Sequence, residues 1–340
     1  MKLSELYWHR ITPLHLLLWP LSVLYGFFLT LKKLCYWLDI LPSVKLPVPV
    51  IVVDSISTDD GGKTPLVLWL IECLLARGFC PGIITRGNSD NPGLPAAVTS
   101  TSDPNIVGGK TFLLAQRCGE VCPVWVGDDR TAVAQALLNA HPTCNVIICN
   151  DGMQYYRLER DIEIAVVDFS EQSFGNGLLL PAGPLRVNLK SLINIDMIVI
   201  NGKQNHHVDT SQWGKTYNMK LVNETAYNVL NPEIHQSVSD FRNKRLHAIA
   251  DANNSRWFFD FIQKTGLDAE LHFFAENHRF IQQDIHFAEA ETILMPEENA
   301  LQCHDFANAA LWALPKEAWI NSELQAILLK KLGKKFNQQN

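Results

Sequence analysis

The stretch from Val48 to Leu70, VPVIVVDSISTDDGGKTPLVLWL, constrains the fold of this chain more than any other. Val50 to Val53 are four consecutive branched apolar residues that end abruptly at Asp54, the pattern of a strand buried on both faces and followed by a turn. From Thr64 the apolar positions Leu66, Leu70 and Leu74 recur at helical spacing. Pro65 suits the first helical turn, where an N–H would lack a partner anyway. The order is therefore strand, loop, helix. Such a loop binds phosphate because its backbone N–H groups and the helix N-terminus face the anion, while a Lys adds a mobile positive charge and a Thr hydroxyl can hold Mg2+. Gly62, Lys63 and Thr64 fit that description, with Ser57, Thr58, Asp59, Asp60 and Gly61 completing the loop. The full P-loop pattern has a Gly six residues before the Lys. Ser57 stands there, so the match covers only the second half, and an ordinary strand-to-helix turn with a solvated Lys is the competing reading.

After this loop the chain alternates strand and helix: Gly82 to Thr85, Phe112 to Arg117, Val124 to Val126, Arg130 to Ala140, Val146 to Cys149 and Ile162 to Asp168. That rhythm predicts an α/β fold in which a parallel sheet is wrapped by helices, with the ligand crevice at the carboxyl ends of the strands. The Asp54 loop, Thr85-Arg86-Gly87 and Asn150-Asp151-Gly152 all fall at such ends. Asp151, after an apolar strand, has the placement of a carboxylate that holds Mg2+; Asn-Asp-Gly is equally good turn chemistry. Phe174 to Arg186, FGNGLLLPAGPLR, reads as a shaped loop ending on an Arg whose planar fork suits phosphate. Asn201 to Trp213 is polar and turn-rich and reads as a crossing between domains. A looser strand and helix rhythm follows, giving three regions: 1–40, 41–200 and a smaller α/β domain over 214–340.

Composition narrows the function. Nearly half of the 340 residues are hydrophobic, so a large core is available, and the formal net charge of −6 gives no reason to expect a nucleic-acid partner. The eight cysteines are scattered, without CxxC pairs, and read as reduced thiols rather than disulfides or a zinc site. Leu16 to Leu31 is uncharged and flanked by His9 and Arg10 on one side and Lys32 and Lys33 on the other. At 16 residues it is shorter than the ~20 a spanning helix needs, and Pro20, Ser22 and Gly26 interrupt it. It predicts a membrane-associated anchor helix with Trp8, Trp19, Tyr25 and Trp37 at the interface, or else a buried core hairpin.

PLSVLYG, GKTPLV, the Arg86-Gly87 pair, DG-x-Q at Asp151 to Gln154, YRLERDIEIAVVD and above all GNGLLLPAGPLR give the chain a nearly end-to-end resemblance to the tetraacyldisaccharide 4'-kinases of lipid A biosynthesis. The resemblance implies a P-loop kinase that uses ATP and Mg2+ to phosphorylate the 4'-hydroxyl of an acylated glucosamine disaccharide. It also implies work at the cytoplasmic face of the inner membrane of a Gram-negative bacterium, with no obligate protein partner. In the roles it implies, Lys63 neutralises the β- and γ-phosphates, Thr64 and Asp151 hold Mg2+, Arg86 and Arg186 contact phosphate or substrate, and Glu276 or His278 assists proton transfer.

The chain departs from the family pattern at several of these places. Asp59-Asp60-Gly61-Gly62 stands where the family has Gly-Gly-Thr-Gly, and Asp54-Ser55 replaces Gly-Asn. Gly109 replaces the Asp of a Gly-Asp-Glu-Pro motif, Asn150 an Asp and Tyr155 a His. Phe274-Ala275-Glu276-Asn277-His278 stands for Phe-Pro-Asp-His-His. Carboxylates in a phosphate cradle repel the anion by roughly 3 kcal/mol per unit charge at ~5 Å and an effective dielectric near 20. Two readings stay open: a working lipid kinase, and a paralogue that keeps the fold and lipid binding but is catalytically impaired.

Overall fold

The structure, a computed structural model, describes residue 8 and residues 12–58, 61–87, 95–169, 174–202, 210–276, 278–287 and 291–339. Asp59, Asp60 and Asn277 lie outside the described residues. The chain divides into two compact units, residues 1–221 with 318–340, and residues 222–317.

The first unit begins with α1 (Leu14–Trp37), longer at both ends than its uncharged centre. β1 (Val50–Ser55) is buried along its whole length and leads into α2 (Lys63–Leu75). There follow β2 (Pro81–Thr85), β3 (Ala96–Val98), the short α3 (Pro104–Val107), α4 (Gly109–Cys118), β4 (Val124–Val126), α5 (Arg130–Ala140), β5 (Val146–Asn150), β6 (Ile162–Asp168), β7 (Met197–Asn201) and β8 (Thr216–Val222). β1 pairs in parallel with β5 and β6 and sits at the middle of the sheet, with β2 and β4 beyond β5, and β7 and β8 beyond β6. β3 runs antiparallel, on β4. The apolar runs are explained by this placement, since a parallel strand with helices on both faces has no polar side. The P-loop-like parallel sheet expected from the sequence is therefore the observed architecture. Six of the eight cysteines are buried and all are free, in keeping with their reading as reduced thiols.

The second unit is a six-stranded sheet built from β9 (Thr225–Asn228), β10 (His235–Ser237), β11 (Leu246–Asp251), β12 (Ala269–Phe274), β13 (Thr292–Pro296) and β14 (Leu311–Leu314). β12 lies at one edge, parallel to β11. Period-two alternation gives the sheet two cores. Leu246, Ala248 and Ala250 pack on Phe258 and Ile262 of α6 (Ser255–Thr265), whereas Ile249 faces Phe280, Ile285 and Ile293. A single helical turn, α7 (Glu297–Ala300), follows β13.

The second unit is shorter than the 214–340 expected, because the chain returns to the first sheet through β15 (Glu317–Ile320), next to β8, and α8 (Ser322–Gln339). Leu324, Leu328 and Leu332 of α8 form a fully buried stripe. Its Lys331 pairs with Asp196, and Lys335 with Asp161 at 3.3 Å.

Candidate active site

Gly62, the residue that opens α2, has φ +93, and a Cβ there would stand 2.8 Å from Met219 Cε, so only glycine fits this turn. The turn places Lys63 and Thr64 at the helix start, both buried. Lys63 Nζ is hydrogen-bonded to the Asp151 carboxylate and lies 3.8 Å from Asp54 Oδ1. Arg186 Nη1 reaches the same two carboxylates, at 3.0 Å from Asp54 and 3.4 Å from Asp151. Two cations and two anions thus interlock at the carboxyl ends of adjacent strands β1 and β5. Asp54, only 1% exposed, also accepts hydrogen bonds from the backbone N–H groups of Ser55 and Met153. Burial raises its pKa above the ordinary carboxylate value, against the pull of Lys63 and Arg186. Burial also raises that of Asp151, but there Lys63 and Arg186 outweigh it and hold the carboxyl down at about 2. Asp151 takes the left-handed backbone conformation, φ +58, a turn geometry that Asp tolerates better than most residues.

Arg186 is delivered by the 174–186 loop. The backbone N–H of Arg186 bonds Ile56 O at 2.8 Å, and its carbonyl accepts from Gln154 at 2.8 Å and from the Tyr25 hydroxyl at 3.4 Å. Asn176 organises the loop: its side-chain amide donates to Ala182 O and meets His15 Nε2, both at 2.7 Å, while its Oδ1 accepts from Leu178 N. A Cβ on Gly183 would lie 2.3 Å from Asn176 Oδ1 and from Leu178 O, so the chain can fold back here only through glycine. Ser22 of α1 donates to Leu179 O at 2.8 Å and accepts from Ala182 N at 2.9 Å, and Lys32 donates to Gln154 O at 3.1 Å. α1 therefore packs on the loop through His15, Ser22, Tyr25 and Gly26, and turns its apolar side outward. Trp37 is 76% exposed and Leu17 71%, with Phe27 and Phe28 more than half exposed. Of the four aromatic residues expected at an interface, Trp19 and Trp37 are exposed, whereas Tyr25 and Trp8, whose Nε1–H donates to Pro181 O, point into the protein.

Ser57 is buried and bridges antiparallel to Leu185, and Thr58 gives its N–H to Pro184 O at 3.0 Å. These two residues knit the cradle to the 174–186 loop. Arg86, at the end of β2, is largely exposed and pairs with Asp128 at 3.4 Å. Glu276 and His278 belong to the second unit, where His278 Nε2 stands 2.8 Å from Asp284 Oδ2. Gly109 begins α4 with open space around the position of a Cβ. Sequence reasoning singled out Asp54 as a departure but missed it as a partner of both cations. It also missed Arg130, buried at the start of α5 with its Nη1 on Gly127 O and Asp128 O. Tyr155 donates to Asp129 at 2.7 Å, and Asp129 caps α5 by accepting from Thr131 N and Ala132 N.

The sequence model of the tetraacyldisaccharide-1-P 4'-kinase family, LpxK, matches residues 14–333. A tetraacyldisaccharide 4'-kinase of Nitrosomonas eutropha is 43% identical over 336 residues, covering 99% of this chain and 85% of the relative. One from Azoarcus is 40% identical, with 98% and 96% covered. The crystal structure of the "apo" form of LpxK from Aquifex aeolicus in complex with ATP superposes with a TM-score of 0.78, at 21% identity, over 92% of this chain and 98% of that one. That likeness shows a shared fold, and the family match and sequence relatives carry the assignment: this chain belongs to the tetraacyldisaccharide-1-P 4'-kinase family.

Proposed function

We propose that this chain transfers the γ-phosphate of ATP to the 4'-hydroxyl of a tetraacyldisaccharide 1-phosphate, giving lipid IVA, at the cytoplasmic face of the inner membrane. The observation that carries this reading is Lys63, buried at the start of α2 and held on Asp151 at the end of β5. A Lys in that place is pre-positioned for β- and γ-phosphate oxygens, and its present partner is exchangeable for a phosphate of the same charge sign. Arg186 would keep Asp54 neutralised during the exchange.

The donors near Lys63 suit Mg2+, since the Asp151 carboxylate and the Thr64 hydroxyl are both hard oxygen ligands. Thr64 and Asp151 are the residues that would hold it, and bound there it would neutralise charge on the transferring phosphate. Gly61 and Gly62 provide backbone at the helix start, joined in our reading by Asp59 and Asp60, and Arg86 serves as a further phosphate contact. Glu276 and His278 are our candidates for taking the hydroxyl proton. In the neutral tautomer whose Nε2–H donates to Asp284, the His278 Nδ1 lone pair would be available for that task.

The outward apolar face of α1 supports a lipid-facing role. Burying a large apolar side chain is worth about 1.5–3 kcal/mol, so the exposed parts of Leu17, Trp19, Phe27, Phe28 and Trp37 leave roughly 5–10 kcal/mol to be gained from the bilayer interface. A catalytically impaired paralogue is the second reading. It is favoured by Asp54, whose buried carboxylate already engages the cations a phosphate would use, and by Gly109, which supplies no carboxylate. Transfer from Mg-ATP to the acceptor in lipid vesicles decides between them. We expect turnover by the unmodified chain and a loss of at least ~10³-fold in Lys63→Ala. Absence of transfer by the unmodified chain, with nucleotide still bound, would establish the second reading.

A further inference from the structure

Far along the chain from the phosphate loop, three metal-ligating side chains converge on one face of the second unit's sheet. His247 on β11 and Glu270 on β12 are register partners, and His272 follows Glu270 by two residues, so alternation puts all three on the same face. His247 Nδ1 and His272 Nε2 stand 2.9 Å apart. Glu270 offers Oε2 at 3.7 Å from the first and Oε1 at 3.8 Å from the second. Donors of a tetrahedral Zn2+ site, at bond lengths of 2.0–2.1 Å, are separated by about 3.3 Å, so small side-chain shifts close the set around one ion. The two ring nitrogens stand at hydrogen-bond distance, one ring donating its N–H to the other, and a metal ion in place of that proton would let both nitrogens act as ligands.

The surroundings favour the metal. The Phe287 ring stacks on His247, centroids 4.1 Å apart, and lies tilted against His272 at 4.6 Å, which restricts both rings and shields one side. The imidazoles are mostly buried while Glu270 is 69% exposed, so water can reach a fourth ligand position. We propose that His247, Glu270 and His272 form a binding site for one divalent ion of the borderline class, Zn2+, Ni2+ or Cu2+, separate from the Mg2+ site of the phosphate cradle. Two imidazoles select against Mg2+ and Ca2+, which prefer oxygen. Because β12 is an edge strand held by β11 alone, the ion would act as a clamp between the two strands.

The test uses the full chain, stripped with chelator and titrated with Zn2+ alone in the presence of excess Mg2+. Metal content is read by elemental analysis and affinity by calorimetry. We expect one saturable Zn2+ per chain, weakened by more than ~100-fold in His247→Ala and in His272→Ala and by about 10-fold in Glu270→Gln. In a parallel arm, Cu2+ bound to the unsubstituted chain should show electron paramagnetic resonance couplings from two imidazole nitrogens, which does not depend on any variant folding. No saturable Zn2+ uptake, uptake unchanged by both His substitutions, or a Cu2+ spectrum without two nitrogen donors would overturn the proposal.

Discussion

The phosphate cradle and the 174–186 loop meet at Arg186 but are held together by different physics. In the loop, Asn176, Ser22 and the backbone at 178–186 make short neutral hydrogen bonds, and Gly183 permits an approach that no other residue allows. Nothing that diffuses in can replace those contacts. The cradle is held by charge: Lys63 and Arg186 against Asp54 and Asp151. A phosphate oxygen can take the place of a carboxylate there at little cost, because the cation keeps an anionic partner throughout. The string that resembles the family lies in this loop, where Asn176 and Gly183 are fixed by close contacts. Of the departures, Asp54 belongs to the cradle, where a substituted charge can be compensated by a neighbouring one.

Arg186 is the residue on which both regions depend, and its removal should have the largest effect on stability. Arg186→Ala leaves the buried Asp54 with Lys63 alone at 3.8 Å, and should cost about 3–5 kcal/mol in denaturant unfolding. Arg186→Lys should recover only part of this, since a point charge cannot match a planar fork at two carboxylates. If the alanine variant unfolds at the same midpoint, the cradle is not held by charge. Next in size, Gly183→Ala tests the loop alone. Its Cβ would collide with Asn176 Oδ1 and Leu178 O, so a loss of about 2 kcal/mol is expected, with nucleotide affinity unchanged. A matching loss of nucleotide affinity would mean that the two regions are one.

The smallest effect is electrostatic. The Asp151 pKa lies below its unfolded value, so its contribution to stability is complete above about pH 4 and is lost as pH falls toward 2. Asp151→Asn should therefore be less stable than the parent by about 1–2 kcal/mol near neutral pH. The lower end is favoured because a third of the side chain is open to water, and the gap should close by about pH 2. A gap that persists at pH 2 would indicate packing rather than charge.

Much of the fold was legible in the sequence because parallel strands have no polar face. Val50–Val53 and Ile162–Asp168 announce themselves as apolar runs, and Leu66, Leu70 and Leu74 mark the helix between them. The Gly-Lys-Thr turn was legible for the same local reason. Asp54 with Arg186 was not, because the partners are 132 residues apart and only the sheet order brings them together. On α1, Ser22 and Gly26 look like flaws in an apolar run, yet they are its contacts with the protein. β8 carried a signal that went unused, TYNMKLV, whose Tyr217 and Met219 alternate inward. The return of β15 and α8 to the first sheet has no local signature at all, since nothing in a short strand says which sheet it joins.

The central claim is that the cradle carboxylates and the phosphates of a nucleotide compete for the same cations. Calorimetric Mg-ATP affinity of Asp54→Asn tests it most directly, because Asn removes the charge while its side-chain oxygen can still accept from Met153 N–H. With one fewer anion beside Lys63, affinity should rise about tenfold over the unmodified chain. Unchanged or weaker binding would contradict the account, and would mean that Lys63 does not leave its carboxylate partners for phosphate.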